Sequence, residues 1–387
     1  MYDWIIIGGG IHGCTVATFL IKSGKADVDK LLIIDPNDEP LFHWKRNTSL
    51  IGMEYLRSPS VHHIDINPFS LEKYGKPIKE KGFYGYYMRP SLQLFNEHCE
   101  RVLKEVGVDQ AWCKGMVTDV TKHQEGWRVE TSKSQSFFGK NIVIAFNTSE
   151  QNIPEWAERI KKKVPDQVHH IFNERLADLK QQAPPITVVG GGITAAHVSI
   201  TLSALFPGKV TLIKRHEFRV HAFDSHPGWL GPKHLQSFKM IKDYDERRKM
   251  IQQARNKGSI PKEQHRKLRK LEREGKLTII TDEISSATAN RNEIELNLKN
   301  NNKSMSTNTI LLATGFQAVP QGQQWLQKLI TEQNLQCAKC GFPIVSESLE
   351  WCRHLYVSGP LAELEVGPVS RNISGARIAA RKIVLNQ

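Results

Sequence analysis

The chain has 387 residues, of which 40% are hydrophobic and 24% are charged, and its formal net charge is +13. This length predicts two or three globular domains, and no apolar run approaches the roughly 20 residues that cross a bilayer. Six scattered cysteines and the lack of a leader with a cleavage site exclude a secreted disulfide scaffold, so we expect a cytoplasmic protein.

The first predicted elements are a strand, a glycine turn, a helix and a second strand between residues 3 and 35. The turn reads Gly8-x-Gly10-x-x-Gly13 and opens the helix. In such a turn the first glycine permits a tight bend, the second lets a pyrophosphate approach the backbone, and the third lets the helix pack closely. Asp35 ends the second strand, where a carboxylate accepts hydrogen bonds from ribose hydroxyls. The pattern predicts a dinucleotide site rather than a bare structural turn.

The next stretch, residues 36–90, is rich in loops, and a helix is predicted from Ser91 to about Val106. The segments 126–131 and 140–146 have the alternation of strands. Residues 155–182 are polar and rich in lysine, which indicates a crossing between two domains.

A second copy of the opening pattern follows at residues 186–215, with a Gly-x-Gly-x-x-Ala turn at 190–195. Its second strand ends in Lys214 and Arg215, where the first copy ends in an acid. A cation at this place suits the 2′-phosphate of NADPH, so the second site is predicted to prefer NADPH over NADH. The simpler interpretation is that both residues are ordinary surface cations.

Much of the positive charge falls in residues 242–276, where Lys, Arg and Glu are mixed along a predicted pair of helices. No aromatic residue follows Tyr244 in this run, so it lacks the stacking platform that binds nucleic-acid bases. The run is interpreted either as a solvated helical face or as a surface that attracts a polyanionic cofactor or an anionic substrate.

Further strands are predicted at 276–281, 294–298, 309–316 and 354–360, and a helix is predicted from Gly367 to Ile383. The repeated strand–turn–helix–strand unit predicts an α/β protein with two Rossmann-like three-layer domains, the second inserted into the first. The predicted boundaries are 1–182 and 309–387 for the first domain and 183–308 for the second, with a helical insert at 240–276.

With these motifs the chain resembles flavoproteins that have two dinucleotide-binding domains. The paired glycine turns, the strand exit Leu312–Phe316 and the C-terminal segment 359–368 carry the resemblance. Within that group it is most similar to the class B flavin monooxygenases, particularly the N-hydroxylating lysine and ornithine monooxygenases. Their pattern of an acid, Leu-Ala-Thr-Gly-Tyr and a later His or Pro is approximated by Asn308, Leu312–Phe316 and Pro320. Asn308 and the terminal phenylalanine depart from that pattern.

The resemblance implies FAD in the first site and NADPH in the second. It also implies a monooxygenase that acts through a hydroperoxyflavin and hydroxylates the nitrogen of an amine. The implied FAD-binding residues are Gly8, Gly10, Ile11, His12, Gly13, Asp35, Trp44, Arg57, Arg89, Gly359, Gly367 and Pro368. The implied NADPH-binding residues are Gly190, Gly192, Ile193, Thr194, Ala195, Lys214 and Arg215.

No catalytic triad stands out in the sequence, and chemistry carried by a flavin needs none. The catalytic candidates, expected to face the flavin, are Trp44, Asn47 and His63, and His43 and His62 lie beside them. Each also has a structural interpretation, because a tryptophan packs in a core and a histidine pair often ends a surface strand.

Two alternatives stay open. Cys337-x-x-Cys340 has the spacing of a redox pair, so an NADPH-dependent flavin or disulfide reductase is the enzymatic alternative. A non-catalytic FAD- and NADP-binding protein that docks a partner through the basic run is the alternative of another class. No cluster of cysteines and histidines completes a zinc site of four ligands, and no metal is expected.

The expected partners are a small-molecule substrate, an amine, and dioxygen, without nucleic acid or a membrane span. Asp224, His226 and Trp229 lie in a loop that borders the cleft between the domains. They either meet a polar amine or close a loop rich in glycine and proline. The sequence leaves a homo-oligomer open and does not identify the substrate.

Overall fold

The computed structural model describes residues 1–146, 150–290, 293–317 and 324–385. Pro320 of the predicted motif lies outside these ranges. The strands of the N-terminal part are β1 (Tyr2–Ile7), β2 (Leu31–Asp35), β3 (Phe83–Tyr84), β4 (Arg89–Pro90), β5 (Trp112–Lys114), β6 (Val117–His123), β7 (Gly126–Thr131) and β8 (Ser136–Ile144). The later strands are β9 (Val168–His170), β10 (Ile186–Val189), β11 (Val210–Lys214), β12 (Arg219–Val220), β13 (Ser259–Ile260), β14 (Thr278–Thr281), β15 (Ile284–Asn290), β16 (Glu293–Leu298), β17 (Ser304–Thr307), β18 (Thr309–Leu312), β19 (Glu350–Cys352) and β20 (Leu355–Val357).

The helices connect and cover these strands. They are α1 (Ile11–Lys22), α2 (Phe42–Leu50), α3 (Ser70–Gly75), α4 (Lys79–Gly82), α5 (Leu92–Glu105), α6 (Glu155–Lys161), α7 (Ile193–Leu205), α8 (Pro232–Met240), α9 (Tyr244–Ala254), α10 (Lys262–Arg273), α11 (Gln324–Glu332), α12 (Glu363–Val366) and α13 (Ile373–Leu385). The predicted helix after Ser91 is confirmed as α5, and the Ser91 hydroxyl caps it by accepting a hydrogen bond from the backbone N–H of Leu94.

The first sheet has the strand order β19-β20-β8-β1-β2-β5, with β7 and β6 added beyond β8. Strands β20, β8, β1, β2 and β5 run parallel, and Ile5 lies opposite Leu32 on one side and Ile142 on the other. Parallel strands are covered on both faces, which explains why β1 and β2 read as apolar runs. Helices α1 and α13 pack together against this sheet. The strand–turn–helix–strand prediction for residues 3–35 is confirmed.

The second sheet has the order β14-β11-β10-β18-β9 and is parallel throughout. One apolar cluster joins it to α7 and α10. Another joins its opposite face to α6 and to the antiparallel sheet β15-β16-β17. The predicted helical pair in the basic run is confirmed as α9 and α10. Two Rossmann-like sheets are therefore present, and the second is built from sequence that lies between β8 and β19 of the first.

Two details differ from the sequence predictions. Strands β9 and β18, at residues 168–170 and 309–312, belong to the second sheet although they fall outside 183–308. The predicted C-terminal helix begins only at Ile373, because Gly367 has a φ of +86° and the chain folds back before the helix starts. Residue 375 must be glycine for the chain to pass this closely, because a Cβ atom there would lie 2.1 Å from the carbonyl oxygen of Val369.

Candidate functional site

The first glycine turn has the close approaches expected of a dinucleotide-binding turn. A Cβ atom on Gly13 would lie 1.8 Å from the carbonyl oxygen of Gly8, so only glycine lets α1 pack there. Gly8 has a φ of +107°, and its own Cβ atom would lie 3.0 Å from the carbonyl oxygen of Ala145. Gly10 is different, because a Cβ atom there would meet nothing within 4 Å. The turn is thus tight where it packs and open at the N-terminus of α1.

The carboxylate of Asp35 is fixed beside this turn. Its Oδ2 atom accepts a hydrogen bond of 2.7 Å from the backbone N–H of Gly9, and its Oδ1 atom accepts from the backbone and side chain of Asn37. The ring of Trp112 covers Gly9, since a Cβ atom on that glycine would lie 2.0 Å from the ring. The Trp112 indole donates to the carbonyl oxygen of Asn37 at 3.2 Å. No local sequence signal pointed to Trp112, because β5 meets β2 only in the folded sheet.

His12 joins the turn to the C-terminal part of the chain. Its Nδ1 atom lies 2.9 Å from the hydroxyl oxygen of Ser358, and its ring lies against Gly359, which has a φ of +73°. Burial lowers the pKa of His12 to about 4, so the imidazole is neutral near pH 7. Its Nε2 atom is buried and makes no hydrogen bond within the described ranges. An unpaired buried nitrogen on a residue two positions after Gly10 is a polar group that a ligand lying along the turn could pair.

The catalytic candidates Trp44, Asn47 and His63 make structural contacts. The Trp44 indole donates to the side-chain oxygen of Asn96 at 2.9 Å, and the Asn47 side-chain oxygen accepts from Arg46. His63 is fully buried, accepts from the backbone N–H of Asp65 through Nδ1, and lies 3.1 Å from the carbonyl oxygen of Pro68 through Nε2. Burial lowers the pKa of His63 to about 3, which keeps its ring neutral.

His43 and His62 also differ in position. The His43 ring packs edge-on against Phe42, with ring centroids 5.5 Å apart. His62 lines a small cavity of about 140 Å³, and burial lowers its pKa to about 4.

Two predicted FAD residues, Arg57 and Arg89, contact the second half of the chain, and Arg57 also lines a large cavity. Arg57 donates to the carbonyl oxygens of His221 at 2.7 Å and Ala222 at 3.0 Å, and it pairs with Asp224. Arg89 is buried and pairs with Glu263 on α10. Both side chains are used by partners in the second half of the chain.

The second glycine turn opens on a cavity of about 1110 Å³. Gly190 has a φ of +150°, and a Cβ atom there would lie 2.5 Å from the carbonyl oxygen of Ala313. The backbone from Gly190 to Thr194 lines the cavity, and Ala195 is buried behind it. The cavity therefore includes the N-terminus of α7, which offers backbone N–H groups to an anion.

The two cations that end β11 have different surroundings. Lys214 is 1% exposed, and its ammonium contacts Thr281, the carbonyl oxygen of His216 and, at 3.3 Å, the carboxylate of Glu217. Arg215 lines the cavity. The structure brings Arg215, but not the Lys214 side chain, to the predicted nucleotide site.

The segment before α13 also lines the cavity. Pro368, Arg371 and Asn372 line it, while Gly367 faces Leu235 of α8. Beside this segment, the buried carboxylate of Glu363 contacts Arg248, Arg255 and Arg371, all of which line the cavity. No sequence pattern pointed to this group. The basic run and the C-terminal segment were both noted, but their meeting point depends on the tertiary fold.

The loop with Asp224, His226 and Trp229 contributes two of these residues to the small cavity. Asp224 and His226 line it, whereas Trp229 is 7% exposed and packs against Phe238 with ring centroids 5.7 Å apart. Trp229 thus closes the loop.

Cys337 and Cys340 are free thiols, and neither lines either cavity. Burial raises the pKa of Cys337. Within the described ranges no group of three or more His, Cys, Asp or Glu side chains could hold a metal ion. Over the same ranges, no helix combines the length and apolarity needed to cross a membrane.

Three solved structures share this fold. The FAD-bound cadaverine monooxygenase of desferrioxamine biosynthesis from Erwinia amylovora is 17% identical, with a TM-score of 0.75 over 99% of this chain and 94% of that one. The ornithine N-hydroxylase of Kutzneria sp. 744, whose structure has reduced FAD, NADP⁺ and L-ornithine, is 15% identical, with a TM-score of 0.78 over 100% and 98%. The L-lysine 6-monooxygenase of Pseudomonas syringae is 20% identical, with a TM-score of 0.75 over 100% and 99%.

A curated relative and a family match agree with this fold. The uncharacterized oxidoreductase CzcO of Bacillus velezensis is 28% identical over 208 residues, which are 52% of this chain and 52% of that protein. The match thus spans about half the length of that relative. Residues 5–262 match the family described as pyridine nucleotide-disulphide oxidoreductase. This region holds both glycine turns and about two thirds of the sequence, so the chain belongs to the pyridine nucleotide-disulphide oxidoreductase family.

Proposed function

We propose that the protein is an FAD- and NADPH-dependent oxidoreductase, a monooxygenase that uses dioxygen to hydroxylate the nitrogen of a small amine. One observation carries the proposal. The second glycine turn opens on the large cavity, and Pro368, Arg371 and Asn372, which follow the last strand of the first sheet, also line it. A nucleotide held at one turn could therefore face a cofactor held at the other.

Three features of the chain indicate that FAD would fit at the first glycine turn. Gly10 leaves open space at the N-terminus of α1, Asp35 is fixed beside the turn, and His12 has an unpaired buried nitrogen. We assign the pyrophosphate to the backbone from Gly10 to Gly13 and a ribose to Asp35. FAD, when bound there, supplies hydride acceptance from NADPH and activation of dioxygen.

The protein's own contribution is to bind and to orient. The N-terminus of α7 offers backbone N–H groups to the pyrophosphate of NADPH, and Arg215 offers a guanidinium to its 2′-phosphate. His12 stays neutral and can donate through one ring nitrogen and accept through the other. Residues from both halves of the chain line the cavity and would limit the access of water to cofactors bound there.

The relatives support this proposal. The fold neighbours act on cadaverine, ornithine and lysine, and two of them are described with FAD bound. We extend to this chain a small amine substrate and a cytoplasmic location. Cys337 and Cys340 lie outside the cavity, so nothing favours the disulfide-reductase alternative.

The test uses the purified full chain with its flavin. We expect yellow protein whose flavin absorbance bleaches in stopped flow within seconds of adding NADPH, and more slowly with NADH. Oxygen uptake is then measured with a panel of primary amines, with hydrogen peroxide recorded alongside. An amine that raises oxygen uptake without raising peroxide supports N-hydroxylation. No bleaching over minutes would refute an NADPH-dependent enzyme, and peroxide formation with every amine would refute hydroxylation of amines.

A further inference from the structure

Three guanidinium groups surround one buried carboxylate at the edge of the large cavity. The side chain of Glu363 is not exposed at all. Its Oε1 atom contacts Arg248, and its Oε2 atom lies 3.0 Å from Nε of Arg371 and 3.4 Å from Nη2 of Arg255. The group therefore carries three positive charges against one negative charge.

The carboxylates on the cavity wall have other partners, and only part of the excess is offset by the charge of Asp224, which raises the pKa of Arg255. Asp224 pairs with Arg57, and Glu283 pairs with Lys299 at 3.1 Å. Asp282 accepts hydrogen bonds from backbone N–H groups, which include that of Asn300 at 3.0 Å.

The excess positive charge makes it harder for each of these arginines to stay protonated. Burial lowers the pKa of Arg255 to about 9, and the nearby guanidinium groups of Arg371 and Arg248 add to the fall. Burial also lowers the pKa of Arg371. Charged groups held together away from water need opposite charge to offset their desolvation. An anion in the cavity would supply it.

The two arginines also have donors available. Arg255 uses Nε and Nη2 for Pro368 and Glu363, and Arg371 uses Nε for Glu363. No other hydrogen bond of their guanidinium groups occurs within the parts of the chain that the structure describes. Because Glu363 fixes the guanidinium groups and both residues line the cavity, the remaining N–H groups can bind an oxyanion in a preset geometry.

We propose that Arg255 and Arg371 bind a carboxylate or phosphate of the organic substrate, so that the enzyme acts on an anionic substrate. This inference rests on the proposed function. The phosphates of NADPH have their own donors at the second glycine turn and at Arg215. Arg371, in contrast, lies just before α13, and α13 is the helix that packs against the first sheet. An oxyanion here is therefore best assigned to the third component of the reaction.

The test measures binding without turnover on the FAD-loaded full chain. Glutarate is the anionic probe, glutaramide is its uncharged match, and inorganic phosphate is a second anion. Thermal-shift titrations give a dissociation constant for each probe in the wild type and in Arg255→Gln, Arg371→Gln and Arg371→Lys. Arg273→Gln, at an exposed arginine on α10 outside both cavities, is the control. Each single change leaves Glu363 two of its three guanidinium partners, so the fold should persist.

We expect glutarate or phosphate, but not glutaramide, to stabilise the wild type. Each Arg→Gln variant should bind the anion at least tenfold more weakly, Arg371→Lys should keep part of the affinity, and the control should match the wild type. Equal anion affinity in all variants, or no anion effect on the wild type, would overturn the proposal.

Two further measurements identify the source of the anion. If the variants bind NADPH more weakly but bind glutarate as the wild type does, the arginines bind the phosphates of NADPH. If the variants lose FAD, the arginines bind the flavin cofactor. Either result overturns the substrate assignment. Failure of NADPH to bleach the flavin refutes the proposed function separately, because anion binding is measured without turnover.

Discussion

Lys214 and Arg215 are adjacent at the end of β11, but of the two only Arg215 lines the large cavity. The Lys214 ammonium is buried against Thr281 and Glu217. Lys214 is the last residue of β11 and Arg215 follows it, and of these two cations Arg215 is the one placed to meet a phosphate in the cavity. The predicted preference for NADPH therefore depends on Arg215.

Replacing Arg215 by alanine should raise the KM for NADPH at least tenfold and leave the KM for NADH nearly unchanged, because only NADPH carries the 2′-phosphate. Steady-state kinetics with both cofactors measure this. Lys214→Met is the matched control, and it should lower the melting temperature without altering the ratio of the two KM values. Equal effects of Arg215→Ala on both cofactors would place the guanidinium away from the 2′-phosphate.

Gly13→Ala and Gly10→Ala should separate folding from FAD binding. A Cβ atom at position 13 would lie 1.8 Å from a backbone oxygen, so this variant should lose about 2 kcal/mol of stability or more. The same atom at position 10 meets nothing within 4 Å, so that variant should fold normally and bind FAD more weakly. Melting temperature and bound flavin per chain are the measurements. Normal FAD content in folded Gly10→Ala would contradict the assigned pyrophosphate position.

The ion pair between Arg89 and Glu263 should contribute to the stability of the fold and should not affect the affinity for FAD. Removing one partner of a fully buried ion pair typically costs about 3–5 kcal/mol, because the other charge is left alone. The loss should be smaller here, since the Glu263 side chain is 21% exposed. Arg89→Met should therefore lower the melting temperature, and Arg89→Met with Glu263→Met should recover part of the loss. FAD affinity should stay the same in both. If FAD affinity falls while the melting temperature holds, Arg89 contacts the flavin after all.

Stability should fall below about pH 6.5 because of buried neutral histidines. The folded chain lowers the pKa of His63 from 6.5 to about 3 through burial, aided by Arg377. Between these two pKa values His63 is protonated in the unfolded chain but neutral in the folded chain. The folded state therefore loses stability as the pH falls from 6.5 towards 3. One such group is worth about 1.4 kcal/mol per pH unit in this window.

Melting temperatures measured from pH 7.5 to 4.5 test this. His63→Gln should show a shallower decline than the wild type, and replacement of the exposed His123 by glutamine should not. Parallel curves for all three proteins would show that His63 is not the group that titrates.

Cys337→Ser with Cys340→Ser should leave NADPH oxidation within about twofold of the wild type, since neither thiol lines the cavity. Loss of turnover in a double variant that keeps its FAD would revive the disulfide-reductase alternative.

The two glycine turns could be predicted because their requirements are local. Gly8 and Gly190 need a positive φ, and Gly13 has no room for a side chain, so the chain must carry glycine there whatever surrounds it. Apolar strands and helices at the right spacing around these turns then define the α/β class and the order of the two Rossmann-like units.

Only the tertiary structure decided how individual polar side chains are used. Arg57 and Arg89 contact residues more than 160 positions away, and the partners of Glu363 come from the basic run and from the segment before α13. Such pairings depend on how the second sheet and its helices pack on the first, and spacing along the chain does not encode them. The sequence by itself therefore determined the two nucleotide turns and their order. The fold decided which cations face the cavity, because a charged side chain points to whichever partner the packing brings within reach.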